Sequence, residues 1–182
     1  MRIWILLFGQ VDSRLLDRVK ENLNMAFPEA ECILIDEKPP LPKEAFNHER
    51  QQYNSSCILD IVEDRADEHE ASSRVLGIVD ADLYVPSLNF VFGEARCPGK
   101  AALISLWRLK PEFYGKPSDA ELLAERATKE AVHELGHTLG LRHCSNPFCV
   151  MYFSNSIFET DRKQSLFCGK CQKKIAKTSV EE

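Results

Sequence analysis

The chain has 182 residues, with 23 Lys and Arg against 28 Asp and Glu, a formal net charge of −5. A chain of this length suits one domain that buries about 70% of its unfolded surface, enough for a core without disulfide staples. Its 44% hydrophobic and 28% charged content excludes a disordered chain. No run approaches the about 18 apolar residues of a membrane span, and the acidic balance argues against a nucleic-acid face.

The first apolar run, Ile3 to Phe8, is shorter than a secretory segment and has no small-residue cleavage site behind it, so it reads as a strand. On that reading the chain is cytoplasmic, and its seven cysteines lie in a reducing compartment where pairs point to metal more than to disulfide. After Gly9, Asp12 or Ser13 can cap a helix carrying Leu15, Leu16, Val19, Leu23 and Phe27 at three- and four-residue spacing. Cys32 to Ile35 reads as a second strand. Asp36 to Gln52, with Pro39, Pro40 and Pro42, reads as a surface loop. Ser55 or Ser56 can start a helix with Ile58, Leu59, Ile61 and Val62, which fades into the charged run Glu63 to Glu70.

Three strand-like pieces follow, Val75 to Tyr84, Asn89 to Glu94 and Ala101 to Leu109, the last two joined through Cys97-Pro98-Gly99 and expected to pair antiparallel. Ser118, with Glu121 at capping-box spacing, opens a third helix that runs to Gly140. Beyond it lie a cysteine-bearing loop, a short polar segment and a basic tail from Lys170 to Lys177. This order predicts an α+β fold, a mixed sheet with helices packed on it.

The third helix carries the chemistry. Residues 133 to 143 read His-Glu-Leu-Gly-His-Thr-Leu-Gly-Leu-Arg-His. His133 and His137 are one helical turn apart, so their imidazoles can converge on one ion beside Glu134. Gly140 lets the chain turn and return His143 as a third ligand, which leaves a zinc ion one open position for water. Zinc lowers the pKa of such a water, Glu134 is placed to take its proton as general base, and a peptide carbonyl is the natural target.

Cys144, Cys149, Cys168 and Cys171 form two pairs, Cys-x₄-Cys and Cys-x₂-Cys. Four thiolates close a tetrahedral site with no open position, the arrangement of a structural zinc. Such a site would staple a C-terminal segment too short and polar to fold alone. Unligated thiols or a disulfide remain the alternatives. Cys32, Cys57 and Cys97 read as core or incidental.

The block from His133 to Cys171 resembles the archaemetzincins, a branch of the metzincin metallopeptidases. The extended zinc motif, Cys144, Cys149, Met151 and the Cys168/Cys171 pair match that family's segments in order, and Leu76 to Tyr84, Leu88 to Ala95 and Ile104 to Leu109 resemble further blocks of it. The resemblance implies a mixed twisted sheet, an active-site helix behind a cleft, Met151 as the Met-turn floor, and a lower zinc-stapled subdomain of about residues 144–177 beneath an upper one of about 1–143. It implies two zinc ions, one catalytic and one structural. It also implies substrate binding by strand addition along an edge strand, here Asn89, Phe90, Val91, Phe92, Gly93, Glu94 and Ala95. At least two of Phe90, Val91 and Phe92 are expected to be plain sheet core. Some metzincins carry a Tyr two residues after the Met; this chain has Phe153 there, and Tyr152 is given no catalytic role.

The resulting expectation is a zinc-dependent peptidase acting on peptide or protein substrates, with no membrane partner. Members of the family have been described as aminopeptidases, and an acidic residue such as Glu94 could hold a substrate α-amine. Two other readings stay open. One is a zinc-stabilised protein- or nucleic-acid-interaction module using Arg162, Lys163, Lys170, Lys173, Lys174 and Lys177. The other is a dormant peptidase with a blocked site. Oligomeric state, natural substrate and exo- or endo-preference are not legible.

Overall fold

The computed structural model describes residues 1–178, with side chains to residue 176, so the side chain of Lys177 lies outside the described part. The elements run β1 (Arg2–Phe8), α1 (Ser13–Ala26), β2 (Glu31–Leu34), β3 (Phe46–Asn47), β4 (Gln52–Asn54), α2 (Ser55–Asp67), β5 (Arg74–Val79) and β6 (Leu83–Tyr84). Then come β7 (Gly93–Ala95), β8 (Ala101–Ser105), α3 (Ala120–Thr138), α4 (Ile157–Arg162) and α5 (Gly169–Thr178).

Alternation along the strands builds two cores, one on each face of the main sheet. Ile3, Ile5, Leu7, Leu76, Ile78, Ala102 and Ile104 enter the first. Leu6, Phe8, Val75, Val79, Ala101 and Leu103 enter the second. A period of two puts neighbours on opposite faces, and a sheet buried on both sides reads as near-continuous apolar runs. α1 and α3 cover the first face with Leu16, Val19, Leu23, Ala127, Ala131 and Leu135. α2 covers the second with Ile58, Leu59 and Val62. The strand order is β2-β1-β5-β8-β7, parallel except for β7, which pairs antiparallel with β8 at the edge. The expected mixed sheet with packed helices is therefore present.

Several local expectations fail for identifiable reasons. The 36–52 segment is not all loop: β3 pairs with β4, and β4 runs parallel to β6 in a second, three-stranded sheet. The expected strand Val75 to Tyr84 breaks at Asp80–Asp82, where Asp82 takes Arg108 in a two-point contact of 2.6 and 2.8 Å and Asp80 pairs with Lys110. The strand beginning at Ala101 stops at Ser105, whose hydroxyl donates to the Ala81 carbonyl, and a 3₁₀ turn follows at Trp107–Leu109. Helix α2 is capped by Asn54, not by Ser55 or Ser56, and α3 by Asp119, not Ser118.

The expected edge strand Asn89–Ala95 is also shorter, since only Gly93–Ala95 is strand. Asn89 and Phe90 lie outside it because the Leu88 and Asn89 carbonyls are taken by Arg50, both at 2.9 Å, and Asn89 also by Gln52 at 3.0 Å. Val91 makes a single bridge to Leu83. Of the three candidate core residues Phe92 is buried, while Phe90 and Val91 are half-buried against the two cores. The basic stretch is not uniformly solvated either: α4 carries a capping box from Ser156 and Glu159, and Lys163 just after it is 0% exposed.

Candidate active site and metal centres

Helix α3 ends where the histidines need it to end. Gly140 adopts φ +82°, and the amide of Leu141 reaches back to the Gly136 carbonyl at 3.1 Å, a left-handed C-terminal closure that suits glycine. The chain reverses, and His143 returns to the two helical histidines. One ring nitrogen from each of His133, His137 and His143 lies within 4.8 Å of the others, with the Nε2 atoms of His133 and His137 3.1 Å apart. Tetrahedral zinc with bonds of about 2.0–2.1 Å spaces its nitrogens by about 3.3 Å, so the cluster fits the ion.

The second ring nitrogens fix the orientation. His133 Nδ1 donates to the Val150 carbonyl and His137 Nδ1 to the Leu141 carbonyl, each at 2.7 Å. A carbonyl only accepts, so both protons sit on Nδ1 and both Nε2 lone pairs point into the cluster. Burial pushes His133 well below the ordinary histidine range and lowers His137 and His143 as well. Burial thus favours the neutral form of all three, the form a metal needs.

Glu134 is buried beside them. Burial first, then the charges of Glu130 and Glu94, raise its carboxyl well above the usual range, and Lys163 opposes the rise. Edge strand β7 crosses in front of it. Gly93 and Glu134, with the three histidines, Phe90, Val91, Phe92, Ala95 and Asn89, border one cleft of about 940 Å³. Glu94 borders it too, but its carboxylate accepts hydrogen bonds from Ser55 and from Ser56, the latter at 2.9 Å, at the start of α2. The serines expected as caps instead tie the edge strand to that helix. Phe153 stands 4.8 Å from the His143 ring.

The four C-terminal cysteines converge separately. Their sulfurs lie within 4.8 Å of one another, with Cys144–Cys168 at 3.9 Å and Cys149–Cys171 at 3.8 Å. A disulfide bond is about 2.05 Å, whereas zinc–sulfur bonds of about 2.3 Å space tetrahedral sulfurs by about 3.8 Å, so the spacing fits a metal. Burial raises Cys149 and Cys171, while at Cys168 burial is outweighed by hydrogen bonds from the Cys171 amide and the Cys149 and Cys171 thiols, bringing it to about 7. Met151, fully buried, joins the two centres: its carbonyl accepts from the Cys144 amide at 2.8 Å and its Sδ lies under Gly136 of α3. Cys32 and Cys57 are half-buried and Cys97 is exposed beside the cleft.

With this geometry the comparisons are decisive. The model of Peptidase family M54 matches residues 3–177. The chain belongs to that family. The archaemetzincin of Methanocaldococcus jannaschii is 46% identical over 96% of this chain and 93% of its own length, and that of Pyrococcus furiosus 44% over 92% and 88%. The crystal structure of the Methanopyrus kandleri archaemetzincin superposes with a TM-score of 0.86 at 39% identity, over 99% of this chain and 96% of that one. A zinc-dependent peptidase of Methanocorpusculum labreanum superposes with a TM-score of 0.84 at 34% identity, over 95% and 99%. As a member of family M54 the chain is a zinc metallopeptidase. Among the described residues no helix is long and apolar enough to cross a membrane.

Glu130, Ser56, Ser154 and Asn155, which no motif marks, also border the cleft. Only Glu130 had a signal, its position one turn before Glu134 on the same helical face.

Proposed function

We propose that His133, His137 and His143 hold the catalytic zinc, that Glu134 is the general base, and that Cys144, Cys149, Cys168 and Cys171 hold a second, structural zinc, two ions per chain. The observation that carries this is the convergence of three imidazoles beside the buried Glu134 side chain on one cleft wall. A zinc bound there supplies Lewis acidity towards a peptide carbonyl and an acidified water.

The chain's own groups do the rest. Glu134 takes the proton of the attacking water on its carboxylate and returns it to the leaving nitrogen. Phe92 and Arg96 use their backbone groups on β8, as the bonds from Ser105 to Phe92 and from Arg96 to Ala101 record, so by alternation Gly93 and Ala95 turn theirs to the free edge. An extended peptide added there would lie across Glu134. Asn89 and Phe90 would border the bound peptide as side chains, and Val91 and Phe92 would support it from the sheet.

Met151 supports the histidine floor by filling the space under Gly136. The same reading divides the chain into an upper part of about residues 1–143 and a lower part of about 144–177. Aminopeptidase action on short peptides would require Glu94 to accept an α-amine in addition to the hydroxyls of Ser55 and Ser56, and a carboxylate has lone pairs for both. Four cysteines given to a metal and three more outside any disulfide favour a reducing, cytoplasmic setting.

Glu134→Ala tests the reading. Zinc content should survive and hydrolysis of a mixed peptide library should vanish; hydrolysis that persists would contradict it. A pure interaction module would be indifferent to this substitution.

A further inference from the structure

One lip of the cleft belongs to no strand. Ser87, Leu88, Asn89 and Phe90 border the opening just before β7. Within its own stretch the lip has a turn bond from the Leu88 amide to the Val85 carbonyl, and Val91 bridges to Leu83. The remaining hold comes from far earlier in the chain. Arg50 Nη2 donates to the Leu88 and Asn89 carbonyls, both at 2.9 Å, and Arg50 Nε to Gln52 Oε1 at 2.9 Å. Gln52 Nε2 donates to the same Asn89 carbonyl at 3.0 Å and to Asp82 at 3.1 Å. Asp82 grips Arg108, whose guanidinium lies 4.4 Å from the centre of the Phe90 ring. Backbone and aromatic side chain of the lip are thus fastened to one network.

The backbone around Arg50 is shaped for this contact. Gln51 takes φ +55°, a left-handed conformation uncommon outside glycine, and its Nε2 donates to the His48 carbonyl at 2.7 Å. On either side of that turn, Arg50 and Gln52 converge on Asn89. Conformations of this kind cluster where function depends on the geometry they impose. The half-buried guanidinium meets carbonyl oxygens and the face of the Tyr84 ring, 4.3 Å away, and bonds donated by a charged group are roughly twice as strong as neutral ones. The Asn89 carbonyl holds two donors, its full capacity, so the lip meets a peptide chiefly with side chains.

We propose that Arg50 is a positioning residue for peptide binding: it acts through Leu88 and Asn89 to set the lip, which contacts the part of a substrate that extends past β7 on that side. The proposal rests on the peptidase reading, since it needs a peptide lying in the cleft.

The test compares zinc-loaded wild type with Arg50→Met, which keeps the stem and removes the donors. Arg50→Lys, which keeps the charge but as a point donor cannot span the same oxygens, is a second, milder variant. Two peptide series share one core that the wild type cleaves, one lengthened stepwise at its N-terminus and the other at its C-terminus. In Arg50→Met the KM of the longer peptides of one series should rise about tenfold, what the loss of one such hydrogen bond is worth, with kcat, the shortest peptides and zinc content unchanged. Amide hydrogen exchange at residues 87–91 should be about tenfold faster, while α3 keeps its protection. Arg50→Lys should show the same pattern, smaller. Unchanged exchange at the lip would overturn the proposal and leave the peptidase reading standing, as would a KM unaltered at every length, or a loss that falls on kcat or on all lengths alike. Failure of the wild type to cleave any core would overturn the two together.

Discussion

A Cβ at Gly93 would lie 2.6 Å from Cγ of Glu134 and 2.6 Å from the carbonyl oxygen of Leu103. The edge strand can therefore approach the proposed base only because position 93 has no side chain. Leu103 sits inside the sheet on β8 and cannot retreat without breaking the ladder, so Glu134 must move. Gly93→Ala should lower kcat about a hundredfold through misplacement of the carboxylate, with zinc content retained. Hydrolysis assays beside elemental analysis check this, and a normal rate would show that β7 gives way instead.

The Glu130–Lys163 pair is buried on both sides, with side-chain exposures of 4% and 0%. Removing one partner strands the other charge in the interior. Glu130→Gln should cost about 3–5 kcal/mol in urea unfolding, and replacing both residues by apolar ones of similar volume should recover most of that loss. A single-variant loss below about 1 kcal/mol would mean that the two charges reach water.

Stability of the metal-free protein should follow pH in a defined sense. Burial raises Glu134 well above its unfolded value of 4.5, so the folded state retains a proton that the unfolded chain has lost. Stability is consequently lost as pH rises from about 4.5 towards the folded value. Glu134→Gln removes this cost, and its advantage over the wild type should grow with pH across that window by at most about 1.4 kcal/mol per unit. The histidines act with the opposite sign. Their folded values lie below 6.5, so their contribution is complete above that pH and is lost below it in both proteins. Denaturant melts of apoprotein from pH 4.5 to 8 read the difference, and an advantage that shrinks with rising pH would contradict the account.

Cys168→Ser should remove the structural metal alone. Zinc should fall from two per chain to one, the melting temperature should drop, and the remaining ion should still support hydrolysis in the surviving folded protein. Cys32→Ser, outside both clusters, should retain two. Loss of zinc from Cys32→Ser, or none from Cys168→Ser, would reassign the site.

Long elements with strong patterning are legible in the amino-acid sequence. The Leu16–Val19–Leu23 stripe, the alternating Ile3–Phe8 strand and the Gly140 stop each express a local rule. The two clusters that could hold a metal are legible because their spacing is itself local, from His133 to His143 and within each cysteine pair. What is not legible depends on distant partners. Strands β4 and β6 are two or three residues long and exist through pairing with each other across 30 residues. Ser55 and Ser56 have cap chemistry, but their hydroxyls go to Glu94. Lys163 looks like part of a basic tail and is buried because Glu130, 33 residues earlier, offers it a counter-charge.

The most direct test is zinc stoichiometry by elemental analysis of wild type beside His137→Ala, with peptide-library hydrolysis followed in the same samples. Two zinc ions are expected in the wild type, one in the variant, and cleavage by the wild type alone. Equal zinc content in both proteins would show that the histidine cluster does not hold the ion and would contradict the assignment of the active site.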